Sequence, residues 1–134
     1  MKKNKAFTLL ELTVVVLIVG ILATLGITHY YSQNERVVDK EALASLKLLQ
    51  SAQRIYLMDY GTYYPTGAST VETNIANINT NLKVLLNEAK WDYVTYSGGA
   101  QGAGTSTARR LSGPVRTWRM IINATNATCS GSCL

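Results

Sequence analysis

An apolar run near the N-terminus is the strongest feature of the hydrophobic pattern. Residues 7–28, FTLLELTVVVLIVGILATLGIT, carry a single charge, Glu11, close to the start of the run. As an α-helix this run would extend for about 33 Å, and the hydrocarbon core of a bilayer is about 30 Å thick. Lys2, Lys3 and Lys5 precede the run, and basic residues favour the cytoplasmic side of a membrane. The pattern therefore predicts one membrane-spanning helix with a cytoplasmic N-terminus.

The helical pattern continues through residues 29–59 but becomes amphipathic. No Gly or Pro interrupts it before Gly61. We expect one helix over residues 7–59, ending at Gly61, whose mostly apolar stripe faces the core. A coiled coil is the competing interpretation, but the heptad pattern is loose. The stripe consists of Tyr31, Val38, Ala42, Leu46, Leu49, Gln53 and Tyr56.

Residues 60–134 predict a small head. Residues 66–81, rich in Thr, Asn and Ser, predict a surface loop with one helical turn, and residues 82–89 a short helix. Alternating aromatic and β-branched residues predict a strand at 91–96 and the strongest strand at 115–123. A Gly- and Ser-rich loop is expected at 97–107, with a further strand beginning at 109–111. The expected fold is α+β, with an antiparallel sheet of three or four strands packed on the long helix.

The charge pattern makes the end of the chain locally basic. The formal net charge is +5, but no acidic residue follows Asp92. The basic side chains there are candidates for an anion or DNA contact, because arginine pairs well with phosphate. The alternative is a solvated sheet face or salt bridges with Glu35, Asp39 and Glu41 of a neighbouring subunit, and this alternative is our expectation. The four candidates are Arg109, Arg110, Arg116 and Arg119.

The sequence offers little to an enzyme or a metal ion. Its one histidine, His29, lies at the predicted membrane boundary, and no glycine pattern resembles a phosphate-binding loop. Calcium prefers six to eight oxygen ligands, usually including carboxylates, and none lies beyond Asp92. We therefore expect no catalytic residues, no metal site and no cofactor.

The two cysteines, Cys129 and Cys133, allow three interpretations. A closed zinc site needs four ligands, and a redox dithiol usually has a C-x-x-C spacing. The predicted topology places the tail outside the cytoplasm, where disulfides persist. We therefore expect the two cysteines to be bonded to each other.

The first residues, MKKNKA followed by FTLLELTVVVLIVGIL, resemble the start of type IV prepilins and type II secretion pseudopilins. In that family a prepilin peptidase removes a short basic leader before a Phe and methylates the new amine. The resemblance implies cleavage between Ala6 and Phe7, methylation of Phe7, and a role in filament assembly for Glu11. The family usually has Gly at the position of Ala6, and many members have Pro at the position of Thr28.

The resemblance also implies an organisation and partners. Residues 1–6 would be the leader, 7–28 the transmembrane and polymerisation half of the helix, 29–59 its amphipathic half, and 60–134 the head of a lollipop-shaped subunit. The implied partners are other copies, other pilins, the prepilin peptidase and an inner-membrane assembly platform. The implied location is the bacterial inner membrane, and afterwards a filament at the cell surface or in the periplasm.

Four alternatives remain at this stage. Within the family, the chain could be a secretion pseudopilin or a minor pilin that initiates assembly or binds DNA or a surface. Outside it, the run could be a cleaved secretory signal or a plain membrane anchor, although a signal's apolar core is shorter. Glu11 favours the family interpretation over a plain anchor. A carboxylate costs about 2.5–3.5 kcal/mol at mid-bilayer and therefore needs a partner, which cleavage before Phe7 would create. No partner is expected for it within the apolar run, so we expect pairing with the new amine of Phe7.

Overall fold

The computed structural model describes residues 8–98 and 104–133, and it divides the chain into one compact unit ending at Val37 and another beginning at Val38. One helix, α1, runs from Leu9 to Tyr60. The prediction of a single uninterrupted helix is confirmed. The residues of the predicted cleavage site, Ala6 and Phe7, lie outside the described residues.

Helix α1 ends where the sequence indicates. Gly61 adopts a left-handed conformation with φ of 70°, and its N–H donates to the carbonyl of Leu57 at 2.9 Å. A glycine in this conformation closes many helices because it has no Cβ to clash with the turned backbone. The predicted stop at Gly61 is confirmed.

The second unit is built on one antiparallel sheet in which neighbouring strands follow chain order. Its elements are β1 (Ala68–Glu72), α2 (Ile75–Leu82), β2 (Trp91–Gly98), β3 (Thr105–Arg110), β4 (Arg116–Ile121) and β5 (Thr128–Gly131). The α+β prediction of a long helix on an antiparallel sheet is confirmed. The predicted strand number is wrong, because the sheet has five strands. The two additional strands, β1 and β5, are short and polar, so their sequences lack an alternating signature.

Three local predictions also need correction. The expected loop at 66–81 contains β1 and α2, and the side chain of Asn74 caps α2 by accepting from the N–H of Ala76 at 2.9 Å. Residues 83–89 form no helix, since α2 ends at Leu82 and Lys83 turns left-handed with φ of 51°. The expected loop at 97–107 is shorter, because β2 and β3 extend into it from both sides.

The core lies between α1 and one face of the sheet. Ala42, Leu46 and Leu49 of the predicted stripe are fully buried, and Val38 nearly so. Tyr31 departs from the prediction, with 66% of its surface exposed. The side chains that pack against the stripe come from alternate strand positions, as period-two geometry requires. They are Trp91, Tyr93, Ala108 and Met120.

Polar contacts fix the two ends of the head to α1. The buried amide of Gln53 accepts from the N–H of Tyr64 at 2.9 Å and donates to the carbonyl of Tyr64 at 2.6 Å. Gln50 donates to the carbonyls of Ile122 and Ala124, at 2.6 and 2.7 Å. The segment after α1 and the turn after β4 are thereby held against the helix.

Candidate functional site

The N-terminal part of α1 presents an apolar surface on which nothing else in the described part of the chain packs. Its large apolar side chains between Leu9 and Ile27 are exposed by 48% at Val14 to 82% at Leu9. By length and composition, this is the one helix in the described part of the chain that could cross a membrane. An apolar surface of this extent marks a segment that contacts lipid or other protein.

Glu11 sits in a reciprocal cap at the start of this helix. Its carboxylate Oε2 accepts from the backbone N–H and from the hydroxyl of Thr8, both at 3.1 Å. In return, the N–H of Glu11 donates to the hydroxyl oxygen of Thr8 at 3.3 Å. Such a capping box satisfies backbone groups that have no partner inside the helix.

The expectation that Glu11 has no partner within the apolar run is therefore wrong. Thr8 belongs to that run and bonds the carboxylate through two donors. The sequence carried a signal for this contact, because Thr8 and Glu11 have the T-x-x-E spacing of a capping box. The contact lowers the cost of placing the carboxylate in an apolar surrounding. Whether Glu11 also pairs with the amine of Phe7 stays a prediction.

Of the four candidate arginines, Arg116 lies inside the head. Its side chain is 2% exposed, and its Nη1 lies 2.6 Å from Oδ2 of Asp39, whose side chain is 9% exposed. The expected pairing of Arg116 with Asp39 therefore occurs within one chain, and not with a neighbour. A buried guanidinium with this partner offers no surface to DNA.

Arg109 and Arg110 also have partners within the sheet. Arg109 pairs with Asp92 across β2 and β3 at 3.0 Å. Arg110 lies over the ring of Trp91 at 5.5 Å and donates through Nε to the carbonyl of Ser112 at 2.6 Å. Arg109, Arg110 and Arg116 therefore each contact a partner within the same chain.

Arg119 differs from the other three. It is exposed on the sheet face turned away from α1, and no described residue pairs with its guanidinium. An open cavity of about 350 Å³ lies beside it, lined by Tyr96, Thr105 and Thr107. The expectation that the arginines do not bind an anion or DNA stays a prediction, and Arg119 is the exposed arginine that has no partner among the described residues.

The two cysteines are bonded to each other, as expected. The bridge encloses the end of β5, and the N–H of Ser132 donates to the carbonyl of Val115 at 2.9 Å. Gly131 has φ of 98°, and a Cβ there would lie 2.3 Å from that same carbonyl oxygen. Only glycine fits this close approach. The bridge therefore closes the tail onto the first residues of β4.

A carboxylate of the head, Glu72, accepts hydrogen bonds from several donors. Its strongest partner is the backbone N–H of Asn74 at 2.8 Å, followed by the Asn77 side chain and the Tyr64 hydroxyl. These bonds favour the charged form and hold the pKa of Glu72 below its ordinary value. Burial, together with the adjacent carboxylate, raises the pKa of Tyr64.

Among residues 8–98 and 104–133, no three His, Cys, Asp or Glu side chains come together in a group that could hold a metal ion. That the chain has no metal site and no cofactor stays an expectation.

Comparison with known proteins finds similarity over part of the chain. The family described as the prokaryotic N-terminal methylation motif matches residues 1–27. The chain is 38% identical over 61 residues to the type IV major pilin protein PilA of Myxococcus xanthus, covering 46% of this chain and 28% of that protein. It is 32% identical over 71 residues to the type II secretion system core protein G of Escherichia coli, covering 53% and 48%.

A third relative is the competence protein ComGC of Streptococcus pneumoniae, 39% identical over 57 residues, covering 42% of this chain and 53% of that protein. The chain thus spans about half or less of the length of these relatives. No solved structure matches. These findings confirm the resemblance to the type IV pilin and pseudopilin family.

Proposed function

We propose that this chain is a structural subunit of a type IV pilus or pilus-like filament, stored in the inner membrane and assembled through residues 7–28. One observation carries the proposal. The helix exposes large apolar side chains on every side between Leu9 and Ile27, with a carboxylate at its start. Such a helix is stable in lipid and can later pack against identical helices through van der Waals contacts.

The proposed maturation follows the family pattern. The prepilin peptidase would cut between Ala6 and Phe7 and methylate the amine of Phe7, and the match of residues 1–27 to the methylation motif supports this step. The leader lysines favour a cytoplasmic N-terminus, where such a peptidase would meet them. An inner-membrane platform would then move the subunit into the filament, together with further copies or other pilins.

The contact between Glu11 and Thr8 supports separate roles for the carboxylate before and after assembly. In the stored subunit, Thr8 supplies the hydrogen bonds that the carboxylate needs in an apolar surrounding. In the filament, we propose that Glu11 pairs with the methylated amine of Phe7 of an adjoining subunit. An amine without a partner in the apolar bundle would be strongly destabilising, so the pair sets the axial register.

The test is filament formation by Glu11→Val in cells that carry the assembly machinery. The variant should insert in the membrane and be cleaved, because the helix becomes more apolar, but it should form no filaments. Leu12→Val is the matched control, since it changes the same helix turn without touching the carboxylate. Normal filament yield from Glu11→Val would show that hydrophobic packing alone sets the register.

A second candidate within the family is a type II secretion pseudopilin. The similarity to the secretion core protein of Escherichia coli extends over slightly more of this chain than the similarity to PilA, and this observation favours it. Deleting the gene and measuring both surface filaments and secreted proteins separates the two roles. Loss of surface filaments alone supports the pilus, and loss of secretion alone supports the pseudopilin. We expect no enzymatic activity in either role.

A further inference from the structure

We propose that a groove on the flank of the head binds a neutral sugar ring, such as the terminal unit of a glycan. The groove lies between the last turns of α1 and the end of α2, and its volume is about 270 Å³. It lies in the unit that begins at Val38, so it involves no residue of the apolar run that carries the proposed function. An apolar floor, an aromatic wall and two opposite charges carry the proposal.

The floor of the groove follows from the spacing of residues along α1. Residues four apart lie on one face of a helix, so two neighbouring ridges of α1 border the groove. Ala52 and Leu82 close it from below and are only 7% and 6% exposed. The floor is therefore apolar, and it suits the apolar face of a ligand. The two ridges are formed by Ser51, Ile55 and Asp59 and by Ala52, Tyr56 and Tyr60.

Two tyrosine rings form the aromatic wall. Tyr56 and Tyr60 stack with ring centroids 4.4 Å apart, and Tyr56 also meets the ring of Tyr64 edge-on at 5.6 Å. Tyr60 nevertheless remains 65% exposed, so the stack leaves part of its ring open to a ligand. The face of an aromatic ring is electronegative and attracts the electropositive C–H groups on the apolar face of a pyranose. A ring that is already held by stacking loses little freedom when a ligand binds.

Two charges of opposite sign line the groove. Asp59 on α1 and Lys83 after α2 are both exposed, and neither has an ion-pair partner among the described residues. A ligand therefore breaks no ion pair when it enters. An ion of either sign would be attracted by one of the two charges and repelled by the other. The hydroxyl groups of a neutral sugar can donate to the carboxylate and accept from the ammonium at once.

The wall that contains Lys83 also offers an acceptor. The Asn81 side-chain nitrogen donates to the carbonyl of Asn77 at 2.8 Å and to the hydroxyl of Tyr64 at 3.2 Å. The amide oxygen of Asn81 accepts from no group in the described part of the chain, so it can accept from a sugar hydroxyl. Both walls therefore present polar groups above the apolar floor, which matches a ring that has hydroxyls around its edge and C–H groups on its face.

Size and polarity select a sugar over other occupants. Pockets for drug-sized ligands enclose about 300–1,000 Å³, so a groove of about 270 Å³ fits a smaller ligand of one or two rings. The groove is open, so a longer glycan can continue outside it. A lipid tail or an apolar peptide side chain would cover Asp59 and Lys83 without supplying hydrogen bonds, and such burial is costly.

Saturation-transfer NMR of the purified full chain, in a polyoxyethylene detergent that carries no sugar, tests the site. The probes are the methyl glycosides of glucose, galactose, mannose and N-acetylglucosamine. At least one of them should receive saturation from the protein, most strongly at the C–H groups of one ring face, and its signal should level off on titration. Tetramethylammonium and acetate are the charged probes, and neither should bind in the groove.

Matched variants locate the binding. Tyr60→Ala removes the platform and Asp59→Asn the charged acceptor, so each should weaken binding at least about tenfold. Tyr60→Phe keeps the ring face and should bind like wild type, which separates loss of the platform from loss of folding. Met58→Ala is the control on the same helix turn, since Met58 is exposed and does not line the groove.

Three results would overturn the proposal. They are binding of none of the four glycosides, binding that Tyr60→Ala leaves unchanged, and binding of either ion as tight as that of the best sugar. The measurement uses unassembled protein, so its result does not depend on whether the chain forms filaments. A chain that binds the sugar but never assembles would contradict the proposed function alone.

Discussion

Arg116 Nη1 on β4 donates a hydrogen bond to Asp39 Oδ2 on α1, at 2.6 Å and with both side chains buried. The pair fixes the position of the helix along the sheet, because the two residues lie 77 positions apart in the chain. A buried ion pair adds little over a well-packed apolar pair, but removing one partner leaves a buried charge uncompensated. The main effect of the contact is therefore to select one position of α1 on the sheet, and its net contribution to stability is small.

Arg116→Ala should lower the free energy of unfolding by about 3–5 kcal/mol. The double variant Asp39→Leu with Arg116→Met should recover most of that loss, because no charge remains buried. Urea unfolding of the detergent-solubilised full chain, followed by the fluorescence of Trp91 and Trp118, measures both. Wild-type stability in Arg116→Ala would show that the guanidinium is not buried against Asp39.

Gln53→Ala should also destabilise the head, because it leaves the N–H and carbonyl of buried Tyr64 without their partners. Each such group costs about 1–3 kcal/mol when it is buried and unsatisfied. Gln33→Ala, at an exposed position of the same helix, is the matched control and should change little. Equal unfolding midpoints for the two variants would show that the two hydrogen bonds between Gln53 and Tyr64 do not stabilise the head.

The tail bridge should hold β5 without holding the rest of the sheet. In Cys129→Ser, the amides of β5 should exchange with solvent faster, while those of β2 and β3 remain protected. The bridge closes a short loop, which contributes about 2 kcal/mol in the chain-entropy model. Mass spectrometry of the unreduced wild type should find no alkylatable thiol. Two alkylated thiols, or loss of protection throughout the sheet, would count against this account.

Glu72 should make part of the stability dependent on pH. Its pKa is lowered in the folded chain, so its contribution is present above the pKa of the unfolded chain and is lost as pH falls through the folded pKa. Glu72→Gln should therefore be less stable than wild type at neutral pH, and the difference should shrink in acid. Denaturant unfolding across that range measures it, and a difference that grows on acidification would reverse the assigned sign.

The parts of the fold with strong periodicity could be predicted from the sequence. The course of α1 and the start of β2 at Trp91 follow from the apolar pattern, and the end of α1 follows from Gly61, because burial on one face imposes the period directly. The disulfide could be predicted from topology, since only two cysteines exist. The strands β1 and β5 could not, because their polar residues pair at sheet edges, where little burial constrains the sequence.

Part of the candidate site could also be predicted from the sequence, and part could not. The T-x-x-E spacing of Thr8 and Glu11 predicts the cap, whereas the charge of Glu11 alone predicts only that it needs a partner. The burial of Arg116 could not be predicted, because arginine is rarely fully buried and its partner is distant in sequence. The lack of a partner for Arg119 could be recognised only after the contacts of the other three arginines were known.

The most direct test of the central claim is the mass of the N-terminal peptide of the protein isolated from membranes and from sheared filaments. The account predicts that the chain begins at Phe7 in both fractions and carries one additional methyl group on its amine. Chains that retain Met1–Ala6, or that begin at Phe7 without the methyl group, would contradict processing and assembly by the proposed route.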